Sequence, residues 1–425
     1  MIYFYRLLFI TLTCLILSAC GGGGKAGCSV AVGGLACAGG NSGGGGGGGG
    51  SSNPTSSYSV LRSMGLNASE GAGLQAPLVQ VNGVFYGTSQ NGGSASLGTV
   101  FSVTATGQVT TIHSFVGGAT DGAIPFAGLT VGSDGNLYGT TTNGGPNGYG
   151  TVFKVALTSG VATWSGVVYF FAGGVSDGAN PFGGLIQGSD NAFYGTTTYG
   201  GTNNFGTVYR ITLIGGVVAE APIHVFSGAL GVPLGDGEYP QSGLIKDSAG
   251  LMYGTTSGGG SAGVGTVYSV STTGATVILR QFSTIDGANP YAGLLLGSDG
   301  NLYGTTTAGG SSGLGVAFSL STNGLTYNAL HSFTGLTTDG STPYGNLVEI
   351  NSILYGTTRY GGNYTTGTIF SLTKTGTETM VYSFGAPSDG ANPYAGLILG
   401  SDGYYYGTTS AGGTGSNGTV YKFYP

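Results

Sequence analysis

The sequence predicts an all-β protein, a seven-bladed β-propeller built of four-stranded antiparallel blades. The first observation is a tandem repeat: Tyr-Gly-Thr occurs seven times between Tyr86 and Tyr406. Neighbouring copies are 50 to 59 residues apart, which fits one propeller blade per repeat. The second observation is glycine, which fills 92 of 425 positions and separates short apolar runs, as in proteins with many tight hairpins.

The composition favours a folded protein with an uncharged partner. Aromatic residues make up 11% of the chain and charged residues only 6%, whereas disordered chains are poor in aromatics and rich in charge. The formal net charge is −6, and the ten lysines and arginines form no cluster. Because nucleic-acid binding requires clustered positive charge, we expect no nucleic-acid partner.

The N-terminus predicts export and a lipid anchor. Residues 1–19 carry one charge, Arg6, followed by an apolar stretch too short for a membrane span, as in a cleavable signal peptide. The stretch ends in Leu17-Ser18-Ala19-Cys20, which resembles the lipobox of bacterial lipoproteins. The resemblance implies a lipid on Cys20 and, with Gly21 after it, attachment to the outer membrane. The alternative is an ordinary secretory signal with an incidental Cys20.

Residues 20–57 are predicted to form a flexible tether. They include an unbroken run of eight glycines at 43–50. A segment with so little apolar surface cannot offset the entropy cost of ordering. The tether contains Cys28 and Cys37, which in an oxidising compartment either form a local disulfide or stay unpaired, and the sequence leaves both open.

Residues 58–425 divide into repeats of four apolar segments, which we call A to D. In the second repeat these are residues 128–131, 136–142, 151–155 and 161–169. Segments A and B are joined by Ser133-Asp134-Gly135, and Asp-Gly between two apolar runs is a strong hairpin signal. Such short hairpins require antiparallel neighbours, which fits a propeller blade and excludes a parallel solenoid.

The number of segments predicts how the ring closes. The D segments end in an aromatic residue such as Phe115, but the last repeat stops at Pro425 after its C segment. A spare segment of the same kind, residues 58–64, precedes the first A segment. We therefore expect the N-terminal strand to complete the last blade, because a propeller leaves no open sheet only if its first and last blades are joined.

The repeat resembles the GloVer (Gloeo/Verruco) tandem repeat of exported bacterial proteins. The resemblance covers residues 58–425 and rests on the elements Asp-Gly-x-x-Pro, Leu-Tyr-Gly-Thr-Thr, Gly-Gly and Gly-Thr-Val-Phe or Gly-Thr-Val-Tyr. It implies a location at the cell envelope and no defined activity. Three repeats depart from the pattern: the first has Glu70-Gly71-Ala72, the fifth has Gly315-Val316-Ala317-Phe318, and the fourth has extra residues at 232–239.

The candidate site lies in the long D-to-A and B-to-C loops, which are expected on one face, where scaffolded folds usually carry function. One interpretation is a funnel of rings and polar acceptors for a neutral ligand such as a glycan. The other is that the rings wedge between blades while the aspartates cap their own turns. The aspartates and the aromatic residues that end these loops are Asp121 and Phe126, Asp177 and Phe182, Asp286 and Tyr291, Asp339 and Tyr344, and Asp389 and Tyr394.

The sequence contains no complete catalytic constellation. We therefore expect a surface-exposed, lipid-anchored, non-enzymatic binding or scaffold module, a monomer that recognises a glycan or an envelope protein. The alternative is a cell-envelope carbohydrate lyase or hydrolase, which needs two carboxylates in one pocket. Glu220, Asp236 and Glu238 in the irregular region are the acidic residues to test for that activity.

Metal binding is not predicted. The chain has three histidines, His113, His224 and His331, which stand at the same position of separate blades. We expect them to be surface residues of outer strands, too far apart to share an ion. No loop has the carboxylate spacing of an EF-hand, although loop aspartates and carbonyls could bind calcium.

Overall fold

The computed structural model describes residues 57–214, 217–228, 235–385 and 388–425. The predicted signal peptide, the lipid site Cys20, the cysteine pair Cys28 and Cys37 and the predicted tether up to residue 56 lie outside these residues, whereas Ser57 begins the first strand. Within the described part of the chain, no helix has the length and apolar character needed to cross a membrane.

Seven four-stranded antiparallel sheets form a seven-bladed β-propeller, as predicted. We keep the letters A to D for the strands, from the central channel outward. Strands A of blades 1 to 7 are Val79–Val81, Thr130–Val131, Ile186–Gln187, Ile245–Lys246, Leu295–Leu296, Val348–Ile350 and Ile398–Leu399. Strands B are Val84–Ser89, Leu137–Thr141, Phe193–Thr197, Met252–Thr256, Asn301–Thr306, Ile353–Thr358 and Tyr405–Thr409. Strands C are Thr99–Thr104, Thr151–Thr158, Thr207–Ile214, Thr266–Val270, Val316–Ser321, Thr368–Thr373 and Thr419–Tyr424. Strands D are Val109–Ser114, Val161–Phe170, Val217–Val225, Thr276–Gln281, Tyr327–Ser332, Glu378–Ser383 and, for blade 7, Ser57–Ser63.

The repeated Tyr-Gly-Thr element lies in strand B, which packs between neighbouring blades. In blade 2 all residues of Leu137–Thr141 are buried, as expected for a strand covered on both faces. The hairpin before it turns at Gly135, whose φ of 77° is unfavourable for a residue with a Cβ. The Asp134 carboxylate accepts a hydrogen bond from the Asn136 backbone N–H at 3.1 Å and so stabilises this turn.

The hydrophobic core is divided among the interfaces between blades. One apolar cluster, for example, combines Tyr86 and Phe115 of the first repeat with Leu137 and Phe153 of the second. Six more clusters follow the same plan, so that every blade packs on both neighbours. Burial of apolar area in all seven interfaces holds the ring together.

The N-terminal strand closes the ring, as predicted. Ser57–Ser63 pairs antiparallel with strand C of blade 7, from Ser57 opposite Tyr424 to Ser63 opposite Thr419. Met64 then takes the place of the aromatic residue that ends the other D strands, and it is fully buried. Its backbone N–H donates to the Gly418 carbonyl at 2.9 Å, as the N–H of Phe115 does to Gly98 at 3.0 Å. The first and last repeats are thus joined within one sheet.

Short ribbons place the two kinds of long loop on the same face. In the second repeat Gly122–Ala123 of the D-to-A loop pairs antiparallel with Asn143–Gly144 of the B-to-C loop. The other repeats have the same contact, either as a ribbon or as a single bridge. The predicted long-loop face is therefore a built surface rather than a set of independent loops.

Candidate functional site

A cavity of about 550 Å³ opens on the long-loop face, where the loops enter the A strands. It is lined by residues from all seven repeats, including all five predicted rings. We call this cavity the funnel. The lining also includes residues at or just before the A strands, among them Gly128, Gly184 and Gly396. It is therefore a single site shared by the blades.

The predicted rings stand at the mouth of the funnel in two arcs. Phe126 and Phe182 form an apolar arc, with ring centroids 5.0 Å apart. Tyr291, Tyr344 and Tyr394 form the second arc, with neighbouring centroids 5.3 and 4.8 Å apart. All five rings are half-buried, so each packs on its surroundings and still offers part of its surface to the cavity.

Two glutamines, which the aromatic pattern of the repeats did not predict, complete the mouth. Gln75 and Gln241 line the funnel in the first and fourth repeats, where the other repeats have rings. Each stands five residues after the acidic residue of its loop, as Phe126 stands after Asp121. This spacing is the feature of the sequence from which their place at the mouth could have been predicted. The Gln75 amide donates to the Gln90 side chain, which also lines the cavity. The mouth therefore has amides at both junctions between its two aromatic arcs.

The five predicted aspartates do not line the funnel but stabilise their own loops. Asp121 is buried and accepts hydrogen bonds from the N–H groups of Val116 at 2.9 Å and Gly122 at 2.8 Å. Burial by itself would raise the pKa of Asp121, but hydrogen bonds from His113 and these N–H groups outweigh it and lower the pKa. The aspartates thus act as turn caps, which was one of the two interpretations. The rings line the funnel, as the other interpretation expected.

Each D-to-A loop is also tied to the strand D before it. Each strand D is followed directly by one buried residue, which is Phe115 in the first repeat. The residue two positions before this buried residue contacts the acidic residue of the following loop. The seven pairs are Arg62 with Glu70, His113 with Asp121, Tyr169 with Asp177, His224 with Asp236, Arg280 with Asp286, His331 with Asp339, and Tyr382 with Asp389. The expectation that the histidines are surface residues was wrong, because their side chains are only 18–21% exposed.

A residue from strand D of the next blade covers several of these pairs. Trp164 stacks on His113 with centroids 3.7 Å apart, and Tyr58 stacks on Tyr382 at 4.0 Å. Two positions have a carboxylate instead. The Tyr169 hydroxyl donates to Glu220 at 3.2 Å, and Glu378 lies beside His331. The outer rim therefore carries a different set of side chains at each blade interface.

The two carboxylates that cover such pairs, those of Glu220 and Glu378, both have pKa values well above the ordinary value of a glutamate. Burial, and after it the charge of Asp177, raises the pKa of Glu220 to about 8. Burial and the charge of Asp339 raise the pKa of Glu378 to about 7. His331, Asp339 and Glu378 each offer one ligand atom within 4.8 Å of the other two, so these three residues could hold a metal ion.

The acidic residues proposed for an enzyme do not form one pocket. Glu220 faces Tyr169 on the rim, whereas Asp236 contacts His224 and the N–H of Ser227. Burial would raise the pKa of Asp236, but the hydrogen bonds from His224 and Ser227 lower it. Glu238 has a pKa raised by burial, and like the other two it is absent from the funnel lining. The carboxylate nearest to Glu220 is that of Asp177, which contacts the same Tyr169 hydroxyl on the outer rim, outside the funnel lining.

Comparison with known proteins identifies the repeat. The profile of the Gloeobacter/Verrucomicrobia repeat matches residues 31–247 and 223–421, which confirms the resemblance drawn from the sequence. No curated protein matches the chain.

Several solved structures are similar at low identity. One is that of the nidogen/laminin complex, at 14% identity and a TM-score of 0.38, covering 61% of this chain and 82% of that one. A candidate glucose dehydrogenase of Thermus thermophilus has 14% identity, coverages of 87% and 100% and a TM-score of 0.41. A candidate 6-phosphogluconolactonase of Bacteroides uniformis has 14% identity and a TM-score of 0.44, and the match covers 72% of this chain and 83% of that one. Similarities this low carry no information on activity.

Proposed function

This chain belongs to the Gloeobacter/Verrucomicrobia repeat family, and from this premise we propose that it is a non-enzymatic binding module of the cell envelope. Its ligand is a neutral molecule, such as a glycan, that enters the funnel. The observation that carries the proposal is the ring of five aromatic and two amide side chains around one 550 Å³ cavity. Cavities of this size, mostly apolar with a few placed polar groups, are typical of small-molecule sites.

The chemistry of the lining supports a neutral ligand. Among the described residues that line the funnel itself, none carries a charge, and the nearest cation at the mouth is Arg359, whose guanidinium lies 4.5 Å from the ring centroid of Tyr394. Half-buried rings can stack on the apolar face of a sugar, and the amides of Gln75 and Gln241 can donate to or accept from its hydroxyls. The tyrosine arc adds three hydroxyls that the phenylalanine arc lacks, so a ligand with one polar and one apolar side fits the asymmetry of the mouth.

The proposal includes the lipid anchor predicted from Leu17-Ser18-Ala19-Cys20. A lipidated chain followed by a glycine-rich tether would present the propeller away from the membrane surface, with the outer membrane as its site. The protein then acts as a monomer whose binding partner is a glycan or an envelope protein. Replacing Cys20 with serine is expected to release the protein from the membrane fraction and abolish labelling by radioactive palmitate. Retention of both would contradict the anchor.

A glycan-array screen tests the ligand class. The purified full-length protein is screened beside a variant with Tyr291, Tyr344 and Tyr394 changed to alanine. The matched control is Tyr424→Ala, an exposed tyrosine at the end of strand C that is remote from the funnel lining. We expect binding by the wild type and the control and loss in the triple variant, which should melt at a lower temperature because three packed rings are gone but should remain folded at the temperature of the screen. Equal binding by the triple variant would contradict a funnel site, and silence of the wild type would contradict a glycan ligand.

A further inference from the structure

A second cluster lies on the outer rim between blades 5 and 6, away from the funnel. It consists of His331 on strand D of blade 5, Asp339 in the following loop, and Glu378 at the start of strand D of blade 6. We call these three residues the rim cluster. They come from two blades, and one nitrogen and two carboxylate oxygens lie within 4.8 Å of one another.

The hydrogen bonds of the rim cluster leave ligand positions open. The Oε1 atom of Glu378 is buried and has no hydrogen-bond partner among the described residues. Asp339 uses Oδ2 for the N–H and hydroxyl of Thr334, at 2.8 and 2.7 Å. Its Oδ1 accepts the N–H of Gly340 at 2.7 Å, and its remaining lone pair faces Nε2 of His331 at 3.3 Å, a contact that a bound ion would replace. A buried carboxylate oxygen without a partner is costly, and a bound cation would offset that cost.

The separation between the imidazole and the aspartate fits shared coordination. Nε2 of His331 lies 3.3 Å from both carboxylate oxygens of Asp339. With metal–ligand bonds of about 2.0–2.1 Å, two ligands of a tetrahedral ion are roughly 3.3 Å apart. The Glu378 oxygen lies within 4.8 Å of the other two ligand atoms, so it must approach them by as much as about 1.5 Å to reach the same spacing around one ion.

The other blade interfaces lack one part of this arrangement. His113 pairs with Asp121, but Trp164 stacks on the imidazole where a third ligand would stand. Glu220 occupies the position of Glu378, four residues before the paired residue of its own strand, but it faces the phenol of Tyr169 instead of an imidazole. Within the described blades, only the rim cluster combines an imidazole with two carboxylates in this way.

We propose that His331, Asp339 and Glu378 bind one divalent transition-metal ion, with zinc the best fit, and that the ion clips blade 5 to blade 6. One imidazole and two carboxylates suit zinc, whereas calcium and magnesium prefer sites made of oxygen ligands alone. A water molecule would fill the fourth position, because the cluster is partly open to solvent. The site is independent of the funnel and of any ligand bound there.

Titration of the metal-free, full-length protein with zinc tests the proposal. The variant is Glu378→Gln, which keeps the shape of the side chain and removes an unpartnered carboxylate, so it should fold. The matched control is Glu220→Gln, at the equivalent position of blade 3. Cysteines outside the propeller are the same in all three proteins, so any zinc they bind cancels in the comparison.

We expect the wild type and Glu220→Gln to bind one equivalent of zinc more than Glu378→Gln, or to bind it at least about a hundredfold more tightly. Zinc should also raise the melting temperature of the first two proteins and leave that of Glu378→Gln unchanged. Equal calorimetric titrations and equal thermal shifts in all three proteins would overturn the proposal. The same holds if Glu220→Gln loses the zinc response together with Glu378→Gln.

Discussion

Arg62 hydrogen-bonds Glu70 at the seam between the last blade and the first, in the contact that His113 makes with Asp121 one blade further on. Glu70 replaces the aspartate of the other repeats, and its longer side chain also accepts the N–H of Leu66 at 3.1 Å. The seam is therefore built like the other loops in spite of the irregular first repeat. The stability of the ring should accordingly depend on the closing strand as much as on any other blade contact.

Removing the closing strand should destabilise the whole propeller. Deletion of residues 57–64 exposes the edge of strand C in blade 7 and removes the buried Met64. Loss of a buried methionine side chain alone costs about 2–5 kcal/mol, so the free energy of unfolding should fall by at least about 2 kcal/mol. Thermal melting followed by circular dichroism measures the change. The control is deletion of eight glycines at 43–50, and equal melting temperatures for the two deletions would contradict closure by this strand.

The threonine after Tyr-Gly donates its hydroxyl to a backbone carbonyl of the next blade at all interfaces between the described blades except one, and this hydrogen bond should contribute to stability. Thr357 donates to the carbonyl of Ala395 in the next blade at 2.9 Å, whereas the Thr305 hydroxyl is buried without a partner among the described residues. Thr357→Val should therefore cost about 1–2 kcal/mol, and Thr305→Val should be neutral or stabilising. Urea unfolding of the two variants gives the comparison. A larger loss for Thr305→Val than for Thr357→Val would refute this account of the interface.

Glu220 should make the propeller less stable at high pH. Its pKa is about 8 in the folded protein, against an ordinary value of 4.5, because burial and the charge of Asp177 disfavour ionisation. The folded state thus binds a proton more tightly, and this stabilisation is complete below about pH 4.5 and lost as the pH rises through 8. Glu220→Gln should match the wild type near pH 4.5 and exceed it by roughly 2–4 kcal/mol at pH 9.

A carboxylate with the opposite shift provides the control for this pH effect. Burial would raise the pKa of Glu349, but hydrogen bonds from Lys374 and Ser298 outweigh it and lower the pKa. Glu349→Gln should therefore leave stability unchanged or reduce it at high pH. Unfolding curves at both pH values test the pair of variants. A pH-independent difference between Glu220→Gln and the wild type would count against a raised pKa.

The glycine of Tyr-Gly-Thr should be intolerant of alanine. In blade 2 a Cβ on Gly139 would collide with the Phe153 ring of strand C, which packs against the glycine. Overpacking of this kind typically costs about 1–3 kcal/mol or more. Gly184 is the control, because its Cβ would lie 3.5 Å from the nearest atom and its φ is ordinary. Thermal melting should show a loss for Gly139→Ala only, and equal losses would exclude the collision as the cause.

Much of the candidate site could be predicted because each repeat carries the same local signals. The position of Phe126 before strand A places its ring at the channel mouth in any propeller of this topology. Gln75 and Gln241 occupy the same position but break the aromatic pattern, and so they were overlooked. The role of Asp121 was left open in the sequence, because an aspartate in a turn can either bind a ligand or accept N–H groups of its own loop. In the structure the Asp121 carboxylate accepts hydrogen bonds from the N–H groups of Val116 and Gly122 in its own loop.

The sequence by itself determined the number of blades, the order of their strands and the closing role of the N-terminal strand. These properties follow from local hairpins and from counting repeats, which need no knowledge of distant contacts. Only the tertiary structure decided which side chains meet across blade interfaces, as Glu378 meets His331 and Trp164 meets His113. Such contacts depend on the rotation and stagger of one blade against the next, which packing of the whole ring sets and no single repeat encodes.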